Sequence, residues 1–234
     1  MFRIVAPLQQ RWQGGIMWDQ RVIFIDAEAI VIDKPAGLAV HPGPKTRESL
    51  EAYLPQMRFG FQRPPSIVHR LDRDTSGCLL LARHPKAHKR FQRAFEEKKV
   101  TKTYLAVLDG VPAKEAGTVD LALAKISSRE AGWRMVADPQ GQTAVTHWRV
   151  VSVIEGRAIV LMSPETGRTH QLRVHAADGI GIPIGGDPVY GRGRGPMLLH
   201  AHSIEVAREM KEPVKAVAPL PPTFVQAGFG DVEP

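Results

Sequence analysis

Ile67-Val68-His69-Arg70-Leu71-Asp72-Arg73-Asp74-Thr75-Ser76-Gly77 sets two aspartates, three basic side chains and two hydroxyls between apolar Ile67-Val68 and the core-like run Cys78-Leu79-Leu80-Leu81-Ala82. The run reads as a buried strand, and a polar cluster fixed to such a strand combines the rigidity of the core with exposure to solvent. Folds present reactive groups in this way.

On the N-terminal side, Arg21 to Asp33 form two β-branched runs around a short polar break, the pattern of a hairpin. The chain turns at Lys34-Pro35-Ala36-Gly37, and His41-Pro42-Gly43-Pro44 predicts a surface loop. Ser49 is placed to cap a short helix from Leu50 to about Leu54. On the C-terminal side, Ala87, Phe91, Ala94 and Phe95 recur at helical spacing, so a helix is expected from Pro85 to Lys99 with one packed and one charged face. Thr103 to Leu108 reads as a buried strand and 118 to 123 as a further one. Residues 124 to 142 read as a variable connection. Ala144 to Ile154 and Arg157 to Met162, joined at Glu155-Gly156, give a clear hairpin. A helix capped by Thr169 and ending near Asp178-Gly179 should follow, then a strand from Leu198 to Val206. The sum is mostly strands with few helices, an α+β arrangement.

The 234 residues suffice for one sizeable core, and the expectation is a single domain over 1–234, with its core at about 21–206 and an irregular proline-rich tail over about 212–234. Hydrophobic content of 43% and charged content of 24% belong to a globular protein. No run approaches a membrane span, and Met1 to Pro7 lacks the apolar stretch of a signal peptide, so a cytoplasmic location is expected. Cys78 is the only cysteine, which excludes an internal disulfide and thiol-rich metal sites. A net charge of +7 favours a polyanionic partner, because lysine and arginine gain affinity by displacing counterions from phosphates. Between Arg83 and Lys102 eight basic residues face only Glu96 and Glu97, which marks Lys89, Arg90 and Arg93 as candidate phosphate contacts. A solvated helix face explains the same charges.

Within the central stretch, Arg70, Arg73 and His69 would favour an ionised Asp72, which suits a nucleophile better than a general acid. Spacing alone leaves equally open a turn aspartate that balances neighbouring charge. A second polar cluster, Glu165-Thr166-Gly167-Arg168-Thr169-His170-Gln171-Leu172-Arg173-Val174-His175, lies where a strand passes into a helix. Helix-start amides with Arg168 beside them suit an anion, although capping alone accounts for Thr169. Tyr104, in Lys102-Thr103-Tyr104-Leu105-Ala106-Val107, reads by itself as a core tyrosine.

His69-Arg70-Leu71-Asp72 followed by Thr75-Ser76-Gly77 resembles the signature motif of the RluA-type pseudouridine synthases. Lys102-Thr103-Tyr104-Leu105-Ala106 is similar to the family's tyrosine motif, and Thr166-Gly167-Arg168-Thr169-His170-Gln171-Leu172-Arg173 to its third. Ile32 to Leu38 with His41-Pro42, Gly185-Gly186-Asp187-Pro188-Val189-Tyr190-Gly191 and Leu198-Leu199-His200-Ala201 also match, in the family's order. The likeness spans about 21–206. It implies a pseudouridine synthase fold, a largely antiparallel mixed sheet with flanking helices and a central catalytic cleft. The implied activity is an isomerase that converts uridines of structured RNA, ribosomal or transfer, to pseudouridine. No cofactor, metal, membrane or obligate protein partner is implied, and a monomer is expected. By resemblance, Asp72 is the catalytic carboxylate and Arg173 its ion-pair partner. Tyr104 stacks on the uracil and serves as base for the C5 proton, and Arg70 displaces the target base. His69, Arg168, His170 and Leu172 fall in the same motifs as substrate contacts. The twenty residues before the first hairpin are too few for the S4 domain that many members carry.

Two other classes compete. His200-Ala201-His202 puts two imidazoles on one side of a strand, which with Asp72 would suit a metal-dependent hydrolase. A non-catalytic RNA-binding module on the same scaffold is the other, and the presence of Asp72, Tyr104 and Arg173 together counts against it.

Overall fold

The computed structural model describes residues 16–43, 46, 48–128, 132–230 and 232. Met1 to Pro7, Pro44 of the predicted loop, positions 129–131 of the predicted connection and the last residues of the tail lie outside them. Ten strands form one mixed sheet: β1 (Val22–Ile25), β2 (Ala29–Lys34), β3 (Ser66–Ile67), β4 (Ser76–Ala82), β5 (Val100–Leu108), β6 (Ala116–Asp120), β9 (Val145–Ile154), β10 (Arg157–Pro164), β11 (Leu199–Arg208) and β12 (Lys211–Val217). The hairpin β7 (Leu123–Ser128) and β8 (Gly132–Ala137) stands apart as a two-stranded sheet. Main-sheet order is β1-β2-β4-β11-β5-β10-β9-β6, with β12 on β11 and β3 on β4.

Every pairing in the main sheet is antiparallel except β4 with β11, where His200 lies against Ser76 and Ala201 against Gly77. That parallel join brings the first polar cluster to the middle of the molecule. Gly77 permits it: the residue sits at φ +104°, and a Cβ there would strike the backbone of Ala201. The strand predicted from Cys78 to Ala82 is β4, which is buried along its whole length.

One sheet face packs Cys78, Leu80 and Ala82 against Ala87 and Phe91 of α1 (Pro85–Glu96). The helix starts at a His84 cap whose Nδ1 accepts the Ala87 amide, and it ends three residues short of Lys99. The predicted helix from Leu50 is a 3-10 helix, Leu50–Met57, with no side-chain cap from Ser49.

Three expectations are corrected. The segment read as a connection, 124 to 142, holds the β7–β8 hairpin, because Leu123 and Met135 bury against Ala144 and Val174. The helix expected from Thr169 starts later and changes type: α2 (Gln171–Val174) follows His170 in a left-handed conformation, φ 54°, and continues as a π-helical turn, His175–Ile180, which ends at Gly181. Gln171 takes over the local bonding, its Oε1 accepting the Arg168 amide and the Thr166 hydroxyl. Finally, the described part of the tail carries a strand and a helix. Its alternating Val214, Ala216 and Ala218 join the α1 core, and α3 (Pro222–Gln226) buries Phe224 beside Phe229 against Leu105, Val107 and Ile159. Pro213 is tolerated because β12 is an edge strand.

Candidate active site

Asp72 lies in the loop entering β4, beneath a narrow cleft lined by Arg70, Lys102, Tyr104, Arg168, His170 and Arg173 among others. The cleft meets a broader groove of about 630 Å³, and Arg70, Leu71, Asp72, His170 and Arg173 line both. A narrow recess opening from a wide groove suits one extruded nucleotide whose flanking chain stays outside.

Arg173 Nη1 donates to Asp72 Oδ2 at 3.2 Å, and His170 Nε2 lies 3.8 Å from the same oxygen. The two residues are 101 positions apart, so sheet and helix together create the pair. Asp72 keeps 16% side-chain exposure, while Arg173 keeps 6%. What holds the arginine is Asp187, fully buried, which accepts from Nε at 2.7 Å and Nη2 at 2.8 Å and also takes the amides of Val189 and Tyr190. Burial works to raise the Asp187 pKa, but the hydrogen bonds and charge of Arg173 and the two amides bring it below the usual carboxylate value. Burial likewise works against the Arg173 charge, and its two carboxylates more than offset this. Arg173 is therefore a fixed cation, presented to Asp72 by a second carboxylate.

His170 is wedged between aromatics. Its Nδ1 is 2.9 Å from the Tyr190 hydroxyl, which itself accepts the Met135 amide, and its ring stacks on Trp133 with centroids 5.1 Å apart. Burial lowers its pKa, and Asp72 opposes the shift. Tyr104 lines the cleft from β5. Burial first and the Asp72 charge second raise its phenol pKa, so the hydroxyl is held protonated.

Some candidates stand elsewhere. His69 turns into the fold: its Nε2 accepts the Leu80 amide, its ring stacks on Phe95, and burial pushes its pKa down to about 3. Its bond is to β4. Arg70 is exposed at the cleft mouth; Arg73 approaches Asp74, at 3.9 Å, and donates to Gly37 O. Arg168 donates Nε to Thr143 O, and Leu172 is buried with its side chain among the cleft-lining residues. Lys89, Arg90 and Arg93 are exposed on α1, outside the cleft; Arg90 pairs with Glu28, and Arg93 with Glu97 at 2.6 Å. His200 does not meet Asp72: it is fully buried, bonded through Nδ1 to Ser76 Oγ at 2.9 Å. Among the described residues no three His, Cys, Asp or Glu side chains group as metal ligands.

Four residues that the sequence did not assign complete the site. Asp187 and Tyr190 stood inside the quoted Gly185–Gly191 motif without a role, and Trp133 lay in the segment read as a connection. Lys34 is fully buried below the Asp72 loop, its Nζ donating to the carbonyls of Pro35 and Leu38 at 2.8 Å and of Arg73 at 3.1 Å.

Residues 28–178 match the family model described as RNA pseudouridylate synthase. An uncharacterised RNA pseudouridine synthase of Zymomonas mobilis is 58% identical over 214 residues, covering 90% of this chain and 98% of that one. Ribosomal large subunit pseudouridine synthase D of the same organism is 37% identical over 180 residues, 74% of this chain and 56% of that one. The solved structure of human RNA pseudouridylate synthase domain containing 4 superposes with a TM-score of 0.78 at 26% identity, over 93% of this chain and 95% of that one. The mixed sheet with few helices is thus the pseudouridine synthase fold, and no helix among the described residues is long and apolar enough to cross a membrane. A family match across the segment that builds the cleft, with near end-to-end agreement to the Zymomonas relative, establishes that the chain belongs to the RNA pseudouridylate synthase family, whose members are isomerases acting on RNA.

Proposed function

We propose that the chain isomerises particular uridines of structured ribosomal or transfer RNA to pseudouridine, with Asp72 as the catalytic carboxylate. The observation that carries this is the Asp72–Arg173 pair at the base of a narrow cleft that opens into a broader groove. The reaction breaks the bond from N1 to C1′, turns the uracil, and joins C1′ to C5. C5 loses a proton and N1 gains one, so nothing is oxidised and no outside group is consumed. A fixed guanidinium beside Asp72 keeps a negative oxygen aimed into the cleft without the reorganisation that free water would require.

Tyr104 offers its ring as a stacking face for the uracil. A phenol held neutral accepts the C5 proton only as it passes its own on, and Asp72 is the carboxylate whose charge it feels. Arg70, exposed at the mouth, is placed to fill the stack from which the nucleotide leaves. The ribosomal reading leans on the relative named for the large subunit.

Mapping pseudouridine across cellular RNA with and without the gene identifies the target. Asp72→Asn should then bind that RNA and form no pseudouridine at its position. Turnover by this variant would reject the assignment.

A further inference from the structure

Beyond the cleft, the segment Gly191-Arg192-Gly193-Arg194-Gly195 carries two exposed arginines directly after Tyr190. They line a cavity of about 470 Å³ together with Arg157, Asp109, Thr223 and Gln226. Three guanidinium groups there face one carboxylate. Among the described residues neither Arg192 nor Arg194 has an ion pair or hydrogen bond. Arg157 makes a single bond from Nη2, to Asp109 at 3.3 Å, and its Nε is buried without a partner. A guanidinium has five N–H donors, so most of this cluster's donor capacity is unused. A recess with an excess of two positive charges, lined also by Thr223 and Gln226, is suited to a phosphate group.

The loop that lines the cavity runs back along the chain to the ion pairs of the cleft. Gly185 leaves the room in which the Arg157 guanidinium lies, since a Cβ there would strike Arg157 Nη2. Two residues later Asp187 grips Arg173, and the Asp187 carbonyl accepts the amides of both Gly191 and Gly193. The arginine loop is thus folded back on the residue that anchors Arg173. Even fully extended, the four residues from Tyr190 to Arg194 span only about 14 Å. A strand whose target nucleotide occupies the cleft carries phosphates over that range.

We infer that Arg157, Arg192 and Arg194 form a second RNA-backbone site, which takes a phosphodiester a few nucleotides from the target uridine. This deepens the proposed function and rests on it for the identity of the ligand. Phosphate is the shared chemistry, and a free phosphate is the competing source.

The test uses the full chain, the RNA identified by mapping, and two variants, Arg192→Ala/Arg194→Ala and Arg157→Gln. The double variant should bind RNA at least ~10-fold more weakly, lower the slope of log affinity against log salt by about 1, and carry its loss in KM with kcat largely kept. Inorganic phosphate should compete with RNA for the wild-type protein and do so less for the variants. Unchanged RNA affinity and salt slope in both variants overturns the inference, and if inorganic phosphate then still shifts the melting temperature of the wild type alone, the site takes a free anion. Binding is read without turnover. Absence of pseudouridine from the wild-type reaction therefore rejects the proposed function, while the variants still decide the site.

Discussion

Asp187 holds Arg173 with both carboxylate oxygens, at 2.7 and 2.8 Å, and leaves the remaining nitrogen of the guanidinium to reach Asp72 at 3.2 Å. One carboxylate is buried and structural; the other is partly exposed and faces the cleft. The arginine between them transmits position from the first to the second.

Asp187→Asn removes the buried charge and one acceptor while the amides of Val189 and Tyr190 keep a carbonyl partner. Leaving the Arg173 cation short of its main partner should destabilise the fold by about 3 kcal/mol. Denaturant melts read this directly. With Arg173 loosened, kcat should fall by more than KM rises. A variant with wild-type stability and kcat would show that Asp187 does not position Arg173.

Lys34 ties the turn after β2 to the Asp72 loop through three carbonyls, which takes all three protons of the ammonium. Burial pushes its pKa down to about 7, against the opposing charges of Asp74, Asp72 and Asp33. Since the unfolded chain keeps the proton up to about 10.5, stability should rise with pH between those values, with a slope approaching about 1.4 kcal/mol per pH unit. Lys34→Met should lack that slope in melts taken from pH 7 to 10. The neutral amine has one N–H fewer, so wild-type turnover should decline above pH 7 as the loop loses one bond. A turnover profile equally flat in both proteins would contradict the tie.

His69 is held neutral down to about pH 3 by burial, whereas an unfolded chain protonates it near 6.5. The folded pKa lies below the unfolded one, so stability should be lost as pH falls from 6.5 toward 3. His200, lowered to about 4, adds to the loss in the same window. His69→Gln retains an acceptor for the Leu80 amide and removes one titration. It should be less acid-labile than the wild type in melts at pH 7 and pH 4, with RNA affinity unchanged. Weakened RNA binding would return His69 to the substrate.

The parts that were legible in the sequence share one property, a local pattern strong enough to outweigh its surroundings. β4 is announced by five consecutive apolar residues, α1 by its spacing and the β9–β10 hairpin by Glu155-Gly156 between β-branched runs. The β7–β8 hairpin was not legible, because its burial rests on four side chains contributed by different elements. The tail misled for a related reason: Pro213 sits in an edge strand and Pro221-Pro222 at a helix start, and Phe224 and Phe229 find a sheet face that no nearby residue reveals. At the site, the family motifs pointed to Asp72 and Arg173, but not to the second carboxylate. Asp187 lies fourteen positions from Arg173 in a glycine-rich turn, and nothing local marks it as a partner.

The basic face of α1 is less free than its sequence implies, since Arg90 pairs with Glu28, Arg93 with Glu97, and Lys99 also with Glu97. The exposed pairs to Glu97 are worth at most about 1 kcal/mol, so a phosphate can displace them at small cost, whereas Glu28 is buried and its pair with Arg90 is costlier to open. Lys89 has no ion pair among the described residues and should therefore contribute more than either arginine. Lys89→Glu should weaken RNA binding several-fold and lower the salt slope by about 1, whereas Arg90→Glu also places a negative charge beside Glu28 and should lose stability as well. Kd measured over a range of salt, with melts on the same samples, separates the two effects. If Lys89→Glu leaves affinity and slope unchanged, α1 faces away from the RNA, and the positive charge that matters lies in the cleft and in the arginine loop after Tyr190.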